Sequence, residues 1–253
     1  MEKNVGLFNE EEMVLLLNEH KFKDLSNNAK YIITEMFGHV NDEEMIHAQK
    51  IEGSFKPDFF VEVNGIRKNV SMKSGRNIII HQELVKQFVQ FLKMKGISKE
   101  TTDTILLYHY GDMTTDGTGK ERFPYRKISY LLDKRIKKAN VELNANKEFV
   151  LVMIYRLVFI GTHRDNIVAD YIYHGDKEFG VVVSRKQVFK HIYNGKWDFL
   201  ENLHIGPIIL HPHARYVGRE IKKEKRRQTI EAHWPNFYSD LRYIAKRYNG
   251  IRR

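Results

Sequence analysis

Residues 56–75 read KPDFFVEVNGIRKNVSMKSG. The Asn64-Gly65 pair at their centre is the strongest short hairpin signal a sequence can carry, because a type I′ turn needs positive φ at both central residues. With those two in the turn, Val63 faces Ile66 and Asp58 falls opposite Ser71. Side chains alternate along a strand, so paired positions and their second neighbours share one face of the sheet. One face then carries Asp58, Glu62, Arg67, Asn69, Ser71 and Lys73, with Phe60 as its single apolar member. The other carries Phe59, Val61, Val63, Ile66, Val70 and Met72, with Lys68 as the exception. Alternation on both arms predicts the register as well as the hairpin. It puts the Asp58 carboxylate and the Lys73 ammonium on one side of neighbouring strands, a diagonal step apart.

A wet polar face is the ordinary meaning of such alternation. Two features go beyond it. Pro57 fixes φ at the strand entrance and removes a donor there, and Lys73-Ser74-Gly75 ends the second strand in a flexible turn. A Pro-Asp that opens one strand and an x-Lys that closes its hairpin partner resemble the core of the PD-(D/E)XK nucleases, the superfamily of most type II restriction endonucleases. The resemblance covers residues 56–75 and, more loosely, residues 28–110. It implies an α/β (α+β) fold, a restriction-endonuclease-like core in which helices flank a central mixed β-sheet. It departs from the usual motif at Ser71, where the family places an acid. One branch of the restriction enzymes is similar in having Ser-x-Lys and takes a glutamate from the following helix instead. Glu83 is the residue offered here, and its plain alternative is an acid favoured by the dipole of a helix first turn. Glu62, farther along the strand, and Glu35, on the helix before it, are the other acids in question.

Phosphodiester hydrolysis needs an activated water, a sink for developing charge and help for the leaving oxygen. A hard cation on carboxylate oxygens meets these needs, and Mg²⁺ suits sites of one or two carboxylates plus substrate phosphate. The resemblance therefore implies Mg²⁺ held by Asp58 and Glu83 with the Met72 carbonyl. Lys73 would orient or deprotonate the water, Ser71 would hydrogen-bond a metal-bound water, and Glu35 would support from outside.

The chain has 253 residues, 42% of them hydrophobic, enough for a sizeable core. It lacks cysteine, which excludes disulfides, thiolate metal sites and cysteine nucleophiles and suits the cytoplasm. The acidic start MEKNVGLFNEEE does not read as a signal peptide. The apolar run 149–160 is too short for a membrane span and contains Arg156. The net charge of +10 is unevenly spread, since residues 211–253 hold twelve Lys/Arg against four Asp/Glu. A basic end points to a polyanion, most simply nucleic acid.

Along the chain, residues 9–20 are predicted as a helix capped by Asn9, with Glu12 at the capping-box position and Met13, Leu15, Leu16 and Leu17 inward. A second helix spans 28–37 with Ala29, Ile32, Ile33 and Met36 on one face, and residues 47–55 supply the neighbouring strand of the hairpin. Residues 81–95 read as an amphipathic helix closed by Gly96, and 104–110 (TILLYHY) as a strand. The glycine-rich 111–119 is a loop with neither P-loop nor calcium-loop spacing. Helices follow at 127–138 and 146–160, strands at 167–174 and 180–183, a helix at 184–193 and a strand at 207–210. Asn140, Asn144 and Asn146 mark a boundary between a catalytic core, 1–140, and a recognition and dimerisation part, 141–253, packed on the same core.

His211-x-His213 lacks a second spaced pair for zinc. Lys120, Arg122 and Arg126, just beyond the loop, and Arg215, Arg219, Lys222, Lys223, Arg226 and Arg227 are the candidates for DNA phosphates and base edges. The expectation is a Mg²⁺-dependent endodeoxyribonuclease, a type II restriction enzyme acting on double-stranded DNA as a homodimer. A repair or structure-selective nuclease and a DNA-binding protein without catalysis remain the alternatives.

Overall fold

The hairpin is formed by β3 (Phe59–Val63) and β4 (Ile66–Lys73), paired Val63 to Ile66 and Phe59 to Val70. The turn residues Asn64 and Gly65 have φ of 53° and 73°, as a type I′ turn demands. This is a computed structural model, and it describes residues 5–75, 79–120, 122–162, 167–197, 202–212 and 226–248. The fold is α+β, with one mixed and one antiparallel sheet and nine α-helices among the described residues.

The hairpin sits in the middle of a six-stranded sheet. On one side of it lie β2 (Met45–Lys50) and the two-residue β1 (His20–Lys21). On the other lie β6 (Tyr171–Gly175) and β7 (Gly180–Ser184). Among the described residues only β4 and β6 run parallel, with Lys73 beside His174. The Asp170 and Asn69 main chains lock this junction through Asp170 N–H to the Asn69 carbonyl (2.8 Å), and Asp170 Oδ2 accepts from Asn69 N–H (3.1 Å). Phe59, Val61, Val63, Val70 and Met72 are buried against Met13 and Leu17 of α1 (Val5–Leu17) and Ala29, Ile32, Ile33 and Met36 of α2 (Asn27–Phe37). Phe60, the apolar exception on the polar face, lies under the Arg67 guanidinium, 3.2 Å from its ring centre. Burial alternates along β3, whereas along β4 Ile66 at the turn is exposed and Ser71 is buried together with Val70 and Met72.

A second, antiparallel sheet has the order β5 (Ile79–Leu84), β10 (Thr229–His233), β9 (Ile208–Pro212), β8 (His204–Ile205). Around it run α3 (Val85–Met94), α4 (Lys99–Tyr110), α5 (Tyr125–Leu131), α6 (Asp133–Ala145) and α7 (Lys147–Ile154). Helices α8 (Arg185–Asn194) and α9 (Phe237–Tyr248) complete the order. The chain divides into two compact units, each assembled from separate segments. The first is Met1–Ile78, Val158–Asn194 and Asn236–Arg253, and the second is Ile79–Leu157 and Gly195–Pro235. The asparagines at 140 and 144 lie inside α6, where Asn140 and Asn144 bond the backbone of residues 202–206.

Three elements differ from expectation. Asn9 lies inside α1 rather than capping it; Glu12 pairs with Lys177 (2.8 Å), and Leu15 is 73% exposed. The helix expected from residue 81 starts at Val85, because residues 79–84 pair with β10. The TILLYHY run is the end of helix α4, capped by Ser98 and by left-handed Gly111. No helix among the described residues is long and apolar enough to cross a membrane.

Candidate active site

Asp58 enters the sheet between two neighbours. Its N–H donates to the Val70 carbonyl (2.8 Å) and its carbonyl accepts from Ile51 N–H (2.9 Å). The backbone is thus held on both sides before the side chain is placed. Three donors converge on Asp58 Oδ2: Met72 N–H at 2.6 Å, Ser71 Oγ at 3.3 Å and Lys73 Nζ at 3.3 Å. Lys73 Nζ also donates to the Met72 carbonyl (2.7 Å). The register read from the alternation therefore brings Asp58, Ser71, Met72 and Lys73 together. The Asp58 and Lys73 side chains are 19% and 26% exposed, enough for a ligand to reach them.

A residue not anticipated joins them. Glu10, on α1, has its carboxyl held above the ordinary carboxylate range, first by burial and then by the negative charge of Asp58. The charges of Lys50 and Lys73 act in the opposite direction, and Lys50 Nζ lies 3.6 Å from Glu10 Oε2. Glu10 is thus within electrostatic reach of both members of the hairpin pair. In sequence it is one of three consecutive glutamates and resembles a solvated helix face; only the inward positions of Met13 and Leu17 on the same helix hint at its orientation.

His174 is the second residue that sequence reasoning left out of the site. It lies beside Lys73 in the parallel pair, and its Nε2 is 3.0 Å from the Gly75 carbonyl. Burial pushes the imidazole below its ordinary value, so near neutral pH it is uncharged and donates Nε2–H to that carbonyl. The rings of Phe237 and Tyr238, from α9, pack on it at 5.9 and 4.8 Å. The imidazole so fixes the turn in which Lys73 ends.

The other expected acids have different surroundings. Glu83 lies on strand β5 in the second unit, not in a helix first turn. Its carboxylate pairs with Arg156 (2.6 Å) and faces His81 Nε2 at 3.3 Å. Glu35 is on α2; burial raises its carboxyl, and its charge is felt by Tyr171. Glu62 pairs across the sheet with Arg67 and His47 positions.

Of the candidate phosphate contacts, Lys120, Arg126 and Arg226 are exposed and Arg122 is half-buried. Arg227 is bonded to buried Asp112 (2.8 Å), which also accepts from Thr114 and from Gly119 N–H and so organises the 111–119 loop. Its role is that of a structural ion pair. Arg215, Arg219, Lys222 and Lys223 lie outside the described residues. The structure adds Arg242, Lys246 and Arg247 on α9, where Tyr238 and Tyr243 accept from Arg242 and Arg247. This aromatic and basic strip belongs to the same unit as Asp58 and Lys73.

No family model matches the chain, and no curated protein matches it significantly.

Proposed function

We propose that the chain is a Mg²⁺-dependent endonuclease of double-stranded DNA, working as a homodimer in the manner of a type II restriction endonuclease. The observation that carries this reading is the convergence of Ser71, Met72 N–H and Lys73 on Asp58 Oδ2, with Glu10 as a second carboxylate within reach. The resemblance of the hairpin to the PD-(D/E)XK nucleases supports it, as does the basic charge.

The donor set fits Mg²⁺. Two carboxylates whose charges oppose one another, beside a main-chain carbonyl, are hard oxygen donors that a divalent cation would reconcile. Asp58 and Glu10, with the Met72 carbonyl, would hold it; a carbonyl has two lone pairs, and Lys73 takes one. The cation supplies a charge sink at phosphate oxygen and a more acidic water. Lys73 has three N–H donors, of which two serve Asp58 and the Met72 carbonyl. The third is directed in this reading to the attacking water or a phosphate oxygen, where its charge opposes the charge that develops. Ser71 and Met72 N–H keep the Asp58 carboxylate in one rotamer.

The test is incubation of the purified protein with long unmethylated DNA, in Mg²⁺ and in EDTA, beside Asp58→Ala and Lys73→Ala. Discrete fragments that require Mg²⁺ and both side chains are expected. Cleavage at the unaltered rate by either variant ends this assignment. Salt-sensitive binding without any cutting would leave a DNA-binding protein without catalysis.

A further inference from the structure

The His211-x-His213 motif finds its missing partners on another strand. In the pairing of β9 with β10, His211 stands directly opposite Glu231, and His233 follows two residues later on the same face. One ligand atom from each of the three lies within 4.8 Å of the others. His233 Nε2 and Glu231 Oε2 stand at 2.8 Å. His213 lies outside the described residues.

We propose that His211, Glu231 and His233 bind a divalent cation of the zinc class. Two imidazoles and a carboxylate suit Zn²⁺, Co²⁺ or Ni²⁺, whereas Mg²⁺ prefers an all-oxygen shell. Metal–ligand bonds of 2.0–2.1 Å put tetrahedral ligand atoms about 3.3 Å apart. The His233–Glu231 atoms stand at 2.8 Å and all three ligand atoms lie within 4.8 Å of one another, so side-chain rotations can close the site. Three protein ligands leave a fourth position for water or a substrate atom, the stoichiometry of zinc sites that do chemistry rather than hold a fold.

The surroundings are those of a supported ligand set. Gln82 Nε2 donates to Glu231 Oε1 (2.6 Å), which fixes the carboxylate from behind. The Tyr125 ring stacks on His211 with centroids 5.5 Å apart and planes at 19°, and this sets the imidazole plane. Glu231 is only 5% exposed, and its bonds to Gln82 and His233 hold the carboxylate in place. A hydrogen bond from His233 alone would leave His211 as merely an aromatic neighbour. The cation reading differs in requiring both histidines.

The site lies in the unit Ile79–Leu157 with Gly195–Pro235, whereas Glu10, Asp58 and Lys73 belong to the other. It does not rest on the nuclease reading, and its test uses no DNA. EDTA-stripped, dialysed full-length protein is titrated with Zn²⁺ alone by calorimetry, first without Mg²⁺ and then in millimolar Mg²⁺. One Zn²⁺ per chain, indifferent to Mg²⁺, is the expected result, and Co²⁺ should give the visible absorption of a tetrahedral site. Gln82→Ala should weaken binding about 10–100-fold, and His211→Gln or His233→Gln at least as much. Circular dichroism of each variant without metal checks that the fold is kept. Absence of stoichiometric Zn²⁺ binding by the unaltered chain overturns the proposal without recourse to any variant. Unaltered affinity in the His211→Gln/His233→Gln double variant does so as well.

Discussion

At Glu10, burial and the charge of Asp58 both oppose ionisation, and the lysines nearby only partly offset them. A carboxyl raised in the folded state contributes stability below its unfolded value, and that contribution is lost as pH rises through the folded value. Above the folded value the ionised Glu10 is therefore a burden on the fold. Glu10→Gln is expected to be more stable than the unaltered protein at pH 7 in chemical denaturation, with the gain vanishing at acid pH. In the proposed nuclease the same change should slow cleavage about 10–100-fold, as loss of a metal-supporting group does. A variant that loses stability at pH 7 would show that Glu10 is held by favourable contacts instead. Tyr173 gives a second titration. Burial pushes its phenol up to about 12, against the bond from Asn28 Nδ2 (3.0 Å), and its hydroxyl donates to the Asp176 carbonyl. The stability it supplies is complete below its unfolded value near 10 and is lost as pH rises through about 12. Tyr173→Phe should cost roughly 1 kcal/mol at neutral pH and should flatten the alkaline fall in unfolding midpoint measured between about pH 10 and 12.

At the scale of elements, the hairpin was legible because two independent signals agreed, the Asn-Gly turn and alternation on both arms. The β4–β6 junction was not, since Lys73 and His174 are separated by 101 positions in the chain and nothing local pairs them. Residues 81–84 misled for a specific reason. Val85, Phe88, Val89 and Leu92 carry a true helical period, and Leu84 extends it backwards by chance. Their strand partner, β10, lies some 145 residues away. In α4 the β-branched and aromatic side chains favour a strand locally, yet burial of Ile105, Leu107, Tyr108 and Tyr110 prevails. The buried Thr102 and Thr104 hydroxyls are satisfied within the helix by donating to carbonyls of the preceding turn, at 3.1 and 2.7 Å for Ser98 and Glu100. The same scale carries two tests of packing. A Cβ at Gly180 would lie 2.2 Å from the Tyr173 hydroxyl, so Gly180→Ala should destabilise by about 1–3 kcal/mol in urea unfolding. Arg227→Ala, which strands buried Asp112, should cost about 3–5 kcal/mol. Arg226→Ala, on an exposed neighbour, should leave the unfolding midpoint unchanged and affect only DNA affinity.

For the molecule as a whole, a net charge of +10 makes the proposed DNA binding electrostatic in large part. Log affinity should fall linearly with log salt in a filter or anisotropy titration, and Arg242→Ala with Arg247→Ala should make the slope shallower by about one per lost phosphate contact. A slope indifferent to both would remove α9 from the interface. The division into units has another consequence. The chain passes between them four times, and the first unit receives its last helix only from Asn236–Arg253. During synthesis the packing of α9 on β7 must wait, and so must the ring packing on His174 beside Lys73. Neither unit is a continuous stretch of chain, so neither can fold from one uninterrupted segment as it emerges; the hairpin that carries Asp58 is made early, yet the rings that pack on His174 beside Lys73 reach it only once residues 237 and 238 have followed.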